Sequence, residues 1–192
     1  PTLYDINLEI HRGEKVLILG SSGSGKSTLA SCINGLIPFS DEGTITGSLK
    51  VNGVETREAS VFELSRTVGT VLQDADAQFV GLSVGEDIAF AMENSNIPRR
   101  EMVPAVERYA STVSMEQFLA EVPFNLSGGQ KQKVAIAGIL GEEVNILIFD
   151  EPLAALDPQA GVAAVELIDD LSHREDCTVI IIEHRLEDVL HR

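Results

Sequence analysis

Apolar and polar residues alternate over residues 4–11, where Ile6, Leu8 and Ile10 are set against Asn7 and Glu9. That is the period-two pattern of a half-buried strand. After the turn residues Arg12, Gly13 and Glu14, Lys15–Leu19 reads K-V-L-I-L, a short apolar run of the kind buried on both faces of a sheet. A helix is expected from Lys26 to about Leu36, stopped by Gly35 and Pro38. Residues 47–52 read as a short strand closed by an Asn52-Gly53 turn, residues 60–64 as helical and residues 67–72 as another strand. From Val84 to about Gly141 the period becomes helical, with breaks at Pro98 and Pro123. Residues 145–149 (N-I-L-I-F) form a second run of the buried-strand type, residues 159–174 a helix, residues 178–182 (T-V-I-I-I) a third buried strand, and residues 185–190 the start of a last helix.

Strands buried on both faces and alternating with helices indicate an α/β core with a mostly parallel sheet. The helical stretch from about residue 74 to 141 interrupts that alternation and reads as an inserted α-helical subdomain. The core then takes about residues 1–73 and 142–192. A length of 192 residues at 44% hydrophobic content suits one such domain with a sizeable core.

The formal charge of −16 is the next constraint. So acidic a surface repels nucleic acid, whose binding relies on Lys and Arg displacing counterions from phosphates. It also argues against direct docking on anionic lipid. Cys32 and Cys177 show no metal-ligand spacing and read as two free thiols of a reducing compartment. No run approaches the ~18 apolar residues of a membrane-spanning helix, and no cleavable signal pattern is seen. The expected place of action is the cytosol or the cytosolic face of a membrane.

Residues 20–27 read G-S-S-G-S-G-K-S between a buried strand and a helix. Gly20, Gly23 and Gly25 give the backbone the freedom to turn successive N–H groups inward around phosphates, with Ser21, Ser22 and Ser24 between them. Lys26 would reach the β- and γ-phosphates, Ser27 would offer its hydroxyl to Mg²⁺, and Thr28 is a further phosphate contact. Residues 146–151 (I-L-I-F-D-E) deliver Asp150 and Glu151 at the C-terminal end of a strand, where open α/β sheets place ligands. Residues 126–130 read L-S-G-G-Q. Ser127 is a suitable helix N-cap, and Gly128 and Gly129 let a ligand approach the bare N–H groups ahead of Gln130.

These motifs, in this order, resemble those of the ATP-binding cassette (ABC) ATPases along the whole chain. The resemblance implies a RecA-like P-loop NTPase fold with a partial antiparallel β subdomain. It implies ATP and Mg²⁺ as ligands, with Asp150 supporting the metal and Glu151 as the base that polarises the attacking water. Gln73 matches the family's Q-loop, which senses Mg²⁺ and water. His184 matches the switch histidine at the γ-phosphate, and Asp157 the D-loop that crosses a dimer interface. Residues 127–130 would contact the γ-phosphate held by a second ABC ATPase domain. In the family further strands lie before the position of Pro1, carrying an adenine-stacking aromatic, and further structure follows Arg192. Both ends are therefore expected to be cut, and Tyr4 reads as core or edge packing.

The two motifs lie about a hundred residues apart, unlike the coiled-coil-split DNA-repair members. Residues 73–90 resemble the Q-loop and following helix of energy-coupling-factor ATPases, above all Gln78-Phe79 and residues 86–90; Glu183-His184-Arg185 also fits. The closest wording is that of thiamine-precursor import ATPases, often two cassettes in one chain. The implied function is the ATP-hydrolysing subunit of an importer for a vitamin, vitamin precursor or metal ion, peripheral on the cytoplasmic face of a prokaryotic membrane. An integral membrane subunit would dock around residues 76–81 and 84–90. Phe79 reads as part of that contact and Phe90 as subdomain core. A soluble ABC ATPase of iron–sulphur cluster or complex assembly is the alternative.

Overall fold

The computed structural model describes residues 2–141, 144–154, 156, 158–173 and 177–184. The strands are, in chain order, β1 (Lys15–Leu19), β2 (Lys50–Val51), β3 (Val54–Glu55), β4 (Val68–Val71), β5 (Ile146–Asp150) and β6 (Thr178–Glu183). The helices are α1 (Lys26–Ile33), α2 (Leu36–Phe39), α3 (Val61–Ser65), α4 (Val84–Asn94), α5 (Arg99–Thr112), α6 (Gly128–Leu140) and α7 (Pro158–Ser172). The chain divides into two compact units. One holds the residues up to Thr70, Val144–Glu151 and those from Ser172 onward; the other holds the stretch beginning at Val71 and Pro152–Leu171.

In the first unit the three apolar runs became neighbours in a four-stranded sheet of order β1-β6-β5-β4. β6 lies parallel to both β1 and β5, with Leu17 opposite Ile181 and Ile148 opposite Ile180. Ile148, Ile180 and Ile182 pack with Ala30 and Ile33 of α1, and with Val51, Leu64 and Val68, in one apolar cluster. Burying each such side chain is worth roughly 1.5–3 kcal/mol, which fixes the strand ends where the acids emerge. β2 and β3 pair antiparallel through an Asn52-Gly53 turn, both residues at positive φ (49° and 81°) as a tight hairpin turn requires. Ser60 caps α3 in a reciprocal capping box with Glu63.

Two expectations for this unit are corrected. Residues 4–11 form no strand, and Tyr4, Ile6 and Leu8 are exposed rather than packed. Alternation predicts a strand only where a neighbour offers a ladder, and none of the described strands pairs with this segment. The helix after the loop is shorter than expected. It ends at Ile33, where the Asn34 side chain accepts from the Leu36 N–H and Gly35 turns the chain at φ 81°. The helix expected at residues 185–190 lies outside the described residues.

The second unit is built on α4, α5, α6 and α7. Ser83 caps α4 and its buried stripe is Val84, Ile88, Ala89 and Met92. Phe90 falls on the opposite side of that helix and is 46% exposed, so it is not subdomain core as expected. α6 is buried along most of its length, through Val134, Ala135, Ile136, Ala137, Ile139 and Leu140, and also through the polar Gln132. Among the described residues no helix is long and apolar enough to cross a membrane. Neither Cys32 nor Cys177 forms a disulfide.

Candidate active site

β1 delivers the phosphate-loop sequence directly from the sheet. The Gly20 N–H donates to the Glu183 carbonyl (3.3 Å), carrying the β1–β6 ladder one residue past the strand. The loop then turns through the Ser24 N–H to the Ser21 carbonyl (3.1 Å). Gly25 holds φ 95°, a left-handed conformation, and a Cβ there would stand 2.7 Å from Leu3 Cδ2. A Cβ on Gly20 would stand 2.7 Å from Ser24 Oγ. α1 begins at Lys26 with neither a side-chain cap nor an acidic residue in its first turn. Its leading N–H groups and dipole are therefore available to an anion.

Lys26 is buried and donates to the carbonyls of Gly20 (2.8 Å) and Ser21 (3.2 Å), so its ammonium is folded over its own loop. Ser21, Ser22, Gly23, Ser24 and Ser27 are exposed and Thr28 is half-buried. From β5, Asp150 accepts from the Ser27 hydroxyl at 3.1 Å. Burial pushes the Asp150 carboxyl above its usual range and the neighbouring Glu151 adds to the shift, against the Ser27 hydrogen bond, Lys26 and His184.

Glu151 is buried, with its Oε1 3.9 Å from Lys26 Nζ and its Oε2 2.7 Å from His184 Nε2. The His184 contact is an ion pair when the imidazole is protonated. His184 Nδ1 lies 3.4 Å from Lys26 Nζ. The backbone of Glu151 is itself unusual: φ is 51°, in the left-handed region, in a residue followed by Pro152. A non-glycine residue held so costs of order 1–3 kcal/mol, and such strain gathers at functional sites. The first unit thus brings Lys26, Ser27, Asp150, Glu151 and His184 into one connected cluster. Among the described residues no group of three or more His, Cys, Asp or Glu side chains could enclose a metal ion alone.

Gln73 and residues 127–130 belong to the second unit. Gln73 is exposed, just beyond β4. Ser127 caps α6, accepting from the Gln130 N–H (3.4 Å), while Gln130 Oε1 accepts from the Ser127 N–H (2.8 Å). The serine-to-glutamine spacing of a capping box could have shown this reciprocal pairing in the sequence. Gly129 has a packing role as well, because a Cβ there would stand 2.9 Å from Ala160 Cβ on α7. Gln73, Gly128, Lys131 and Gln132 line a cavity of about 130 Å³ together with Leu72 and Pro152. Gln132 was not legible as a site residue; the only signal was an amide inside an apolar helix pattern. Asp157 lies outside the described residues.

A parallel sheet flanked by helices, a small antiparallel sheet, and a lysine-bearing loop facing two strand-end acids define a P-loop NTPase. The ABC transporter family model matches residues 3–154, and the chain belongs to that family as an ABC ATPase domain. It is 60% identical over 191 residues to the Clostridium perfringens protein CPE1583, which carries an ABC transporter ATP-binding protein name, covering 100% of this chain and 34% of that protein. It is 58% identical over 192 residues to the similarly named VVA0347 of Vibrio vulnificus, covering 100% of this chain and 33% of that protein. The chain thus spans about a third of the length of these curated relatives. Among solved structures it is similar to cbiO1 from Clostridium perfringens, part of the ABC transporter complex cbiONQ. The TM-score is 0.86 at 33% identity, over 98% of this chain and 74% of that one. It is also similar to the dimeric ATP-binding cassette MJ0796 in a post-hydrolysis state bound to ADP and Pi. There the TM-score is 0.83 at 28% identity, over 98% of this chain and 82% of that one.

Proposed function

We propose that this domain binds ATP with Mg²⁺, hydrolyses it in a pair with a second ABC domain, and so powers import of a small molecule through an integral membrane subunit. The observation that carries the reading is the Lys26–Glu151–His184 cluster beside the Ser27–Asp150 hydrogen bond. Lys26 rests on two loop carbonyls that phosphate oxygens would replace. Glu151 is a buried carboxylate with its Oε1 3.9 Å from Lys26 Nζ and its Oε2 2.7 Å from His184 Nε2, as suits a group that takes a proton from an attacking water. His184, beside it, would contact the same phosphate end and hold the carboxylate in place.

The residues present fit Mg²⁺. Ser27 Oγ and Asp150 Oδ1 are adjacent hard oxygens, and the pair of buried acids favours a cation. Mg²⁺ usually takes one or two protein ligands and completes its shell with phosphate and water, so the lack of a larger described ligand cluster is no obstacle. Bound there, the ion would neutralise charge on the triphosphate. By the family resemblance Gln73 would sense Mg²⁺ and water, and residues 127–130 would receive the γ-phosphate held by the partner domain.

The partner reading draws on the dimeric state of MJ0796 and on cbiO1 being part of a transporter complex. The relatives' length leaves room for a second cassette in the same chain. The membrane subunit would meet the exposed Val80, Leu82 and Phe90 with the half-buried Phe79, and the domain would then lie on the cytoplasmic face. The test is to solubilise membranes gently from the native host, purify the full-length protein, and identify its companions by mass spectrometry. An integral membrane protein with a small-molecule-binding companion is the expected result. Recovery only from the soluble fraction would overturn the transport reading.

A further inference from the structure

We infer that Gln132 is a positioning residue for Glu151: its amide holds the chain immediately after the acid and so fixes the strained backbone that aims the carboxylate. This rests on Glu151 acting as the base. Gln132 is 5% exposed on α6, a helix otherwise buried through apolar residues such as Val134, Ala135 and Ile136. Its Nε2 donates to the carbonyl of Pro152 in a short hydrogen bond. Its Oε1 is buried and accepts nothing. Burying an unsatisfied amide oxygen is unfavourable, so the donor end accounts for the glutamine.

What the donor holds explains why it is needed. Glu151 sits at φ 51° directly before a proline, a combination that relaxes unless both flanks are fixed. On the N-terminal flank the Glu151 N–H donates to the Ile182 carbonyl at 2.9 Å, extending the β5–β6 ladder. On the C-terminal flank the described side-chain hydrogen bond is that of Gln132 to Pro152. Without the amide, the chain after Glu151 is free to relax and the carboxylate moves from the reacting water.

The test uses the full-length protein and reads two quantities for this domain: the single-turnover rate at which bound ATP becomes ADP, and the Kd for ATP. Gln132→Met keeps length and volume but has no donor, and Gln132→Asn keeps the amide on a shorter arm. The expected result is a fall in rate of about ten- to a hundred-fold for Gln132→Met, the scale of a small misplacement of a reacting group. A smaller fall is expected for Gln132→Asn, with the Kd nearly unchanged in both. A purely structural role would lower the melting temperature yet leave the rate at 25 °C near wild type in whichever variant folds, and that outcome would overturn the inference. Glu151→Gln is measured alongside. If it hydrolyses normally, the base reading itself fails. If it is inactive while the folded Gln132 variants turn over normally, only the positioning role fails. Gln132→Met added to Glu151→Gln is expected to lower the residual rate no further.

Discussion

Gly129 and Gly138 lie on the same helix, yet replacing each by alanine should move stability in opposite directions. At Gly138 the nearest atom to an added Cβ is the Asp87 carbonyl oxygen at 3.8 Å, an ordinary contact. Gly138→Ala therefore collects the intrinsic helix preference of alanine, roughly 0.8–1.0 kcal/mol at an interior position. At Gly129 the added Cβ would stand 2.9 Å from Ala160 Cβ. Carbon atoms pack at about 3.5–4.0 Å, so α6 and α7 must part by roughly 0.6–1 Å at that point. Such overpacking costs about 1–3 kcal/mol. Gly129 sits in the first turn, where the propensity gain is smaller, so the clash wins by roughly 1–2 kcal/mol. At about 2–4 °C per kcal/mol for a domain of this size, the unfolding transition of this domain in the full-length variants should rise by roughly 1–4 °C for Gly138→Ala and fall by roughly 2–8 °C for Gly129→Ala. Equal shifts, or a Gly129→Ala variant more stable than wild type, would refute the close approach of the two helices. If the shifts are as expected, loss of activity in Gly129 variants combines a packing effect with any loss of nucleotide contact.

The carboxyl of Asp150 is raised above its usual value by burial first and by Glu151 second. As pH climbs from the ordinary aspartate range through the raised value, the unfolded chain ionises before the folded one, so this group's stabilising contribution fades with rising pH. In protein free of nucleotide and metal, the melting temperature of Asp150→Asn relative to wild type should therefore increase across that window; a flat or falling difference would contradict the assigned direction. Ile148 is fully buried at the centre of the sheet, so Ile148→Ala should cost about 2–5 kcal/mol in urea unfolding; a loss below about 1 kcal/mol would show that the site collapses. Ser127→Ala removes the α6 cap and should cost about 0.5–2 kcal/mol by the same measurement.

The buried strands were the most legible part of the fold. Residues such as Val16, Leu17 and Ile18, or Ile146–Phe149, leave a central parallel strand as their natural place, and the sheet orders them so. The glycine-rich loop was legible as a place where the backbone must turn: Gly23 and Gly25 hold positive φ, while Gly20 does not. Residues 4–11 misled because alternation records a preference for one buried face and says nothing of a ladder partner. Phe90 misled because its size suggests core while its position on α4 points away from Val84, Ile88 and Met92. Gln132 and the strain at Glu151 were invisible because both arise from elements brought together by tertiary folding: a hydrogen bond across 20 residues, and a φ angle that no local pattern announces.

The central claim is that Glu151 supplies the base at a site built by Lys26, Ser27 and Asp150. It is tested most directly by loading full-length Glu151→Gln with labelled ATP and following the nucleotide bound at this domain. The account predicts that ATP binds as in wild type and stays intact, with conversion to ADP slowed by about 10²–10⁴-fold. Conversion of bound ATP to ADP at the wild-type rate would contradict it.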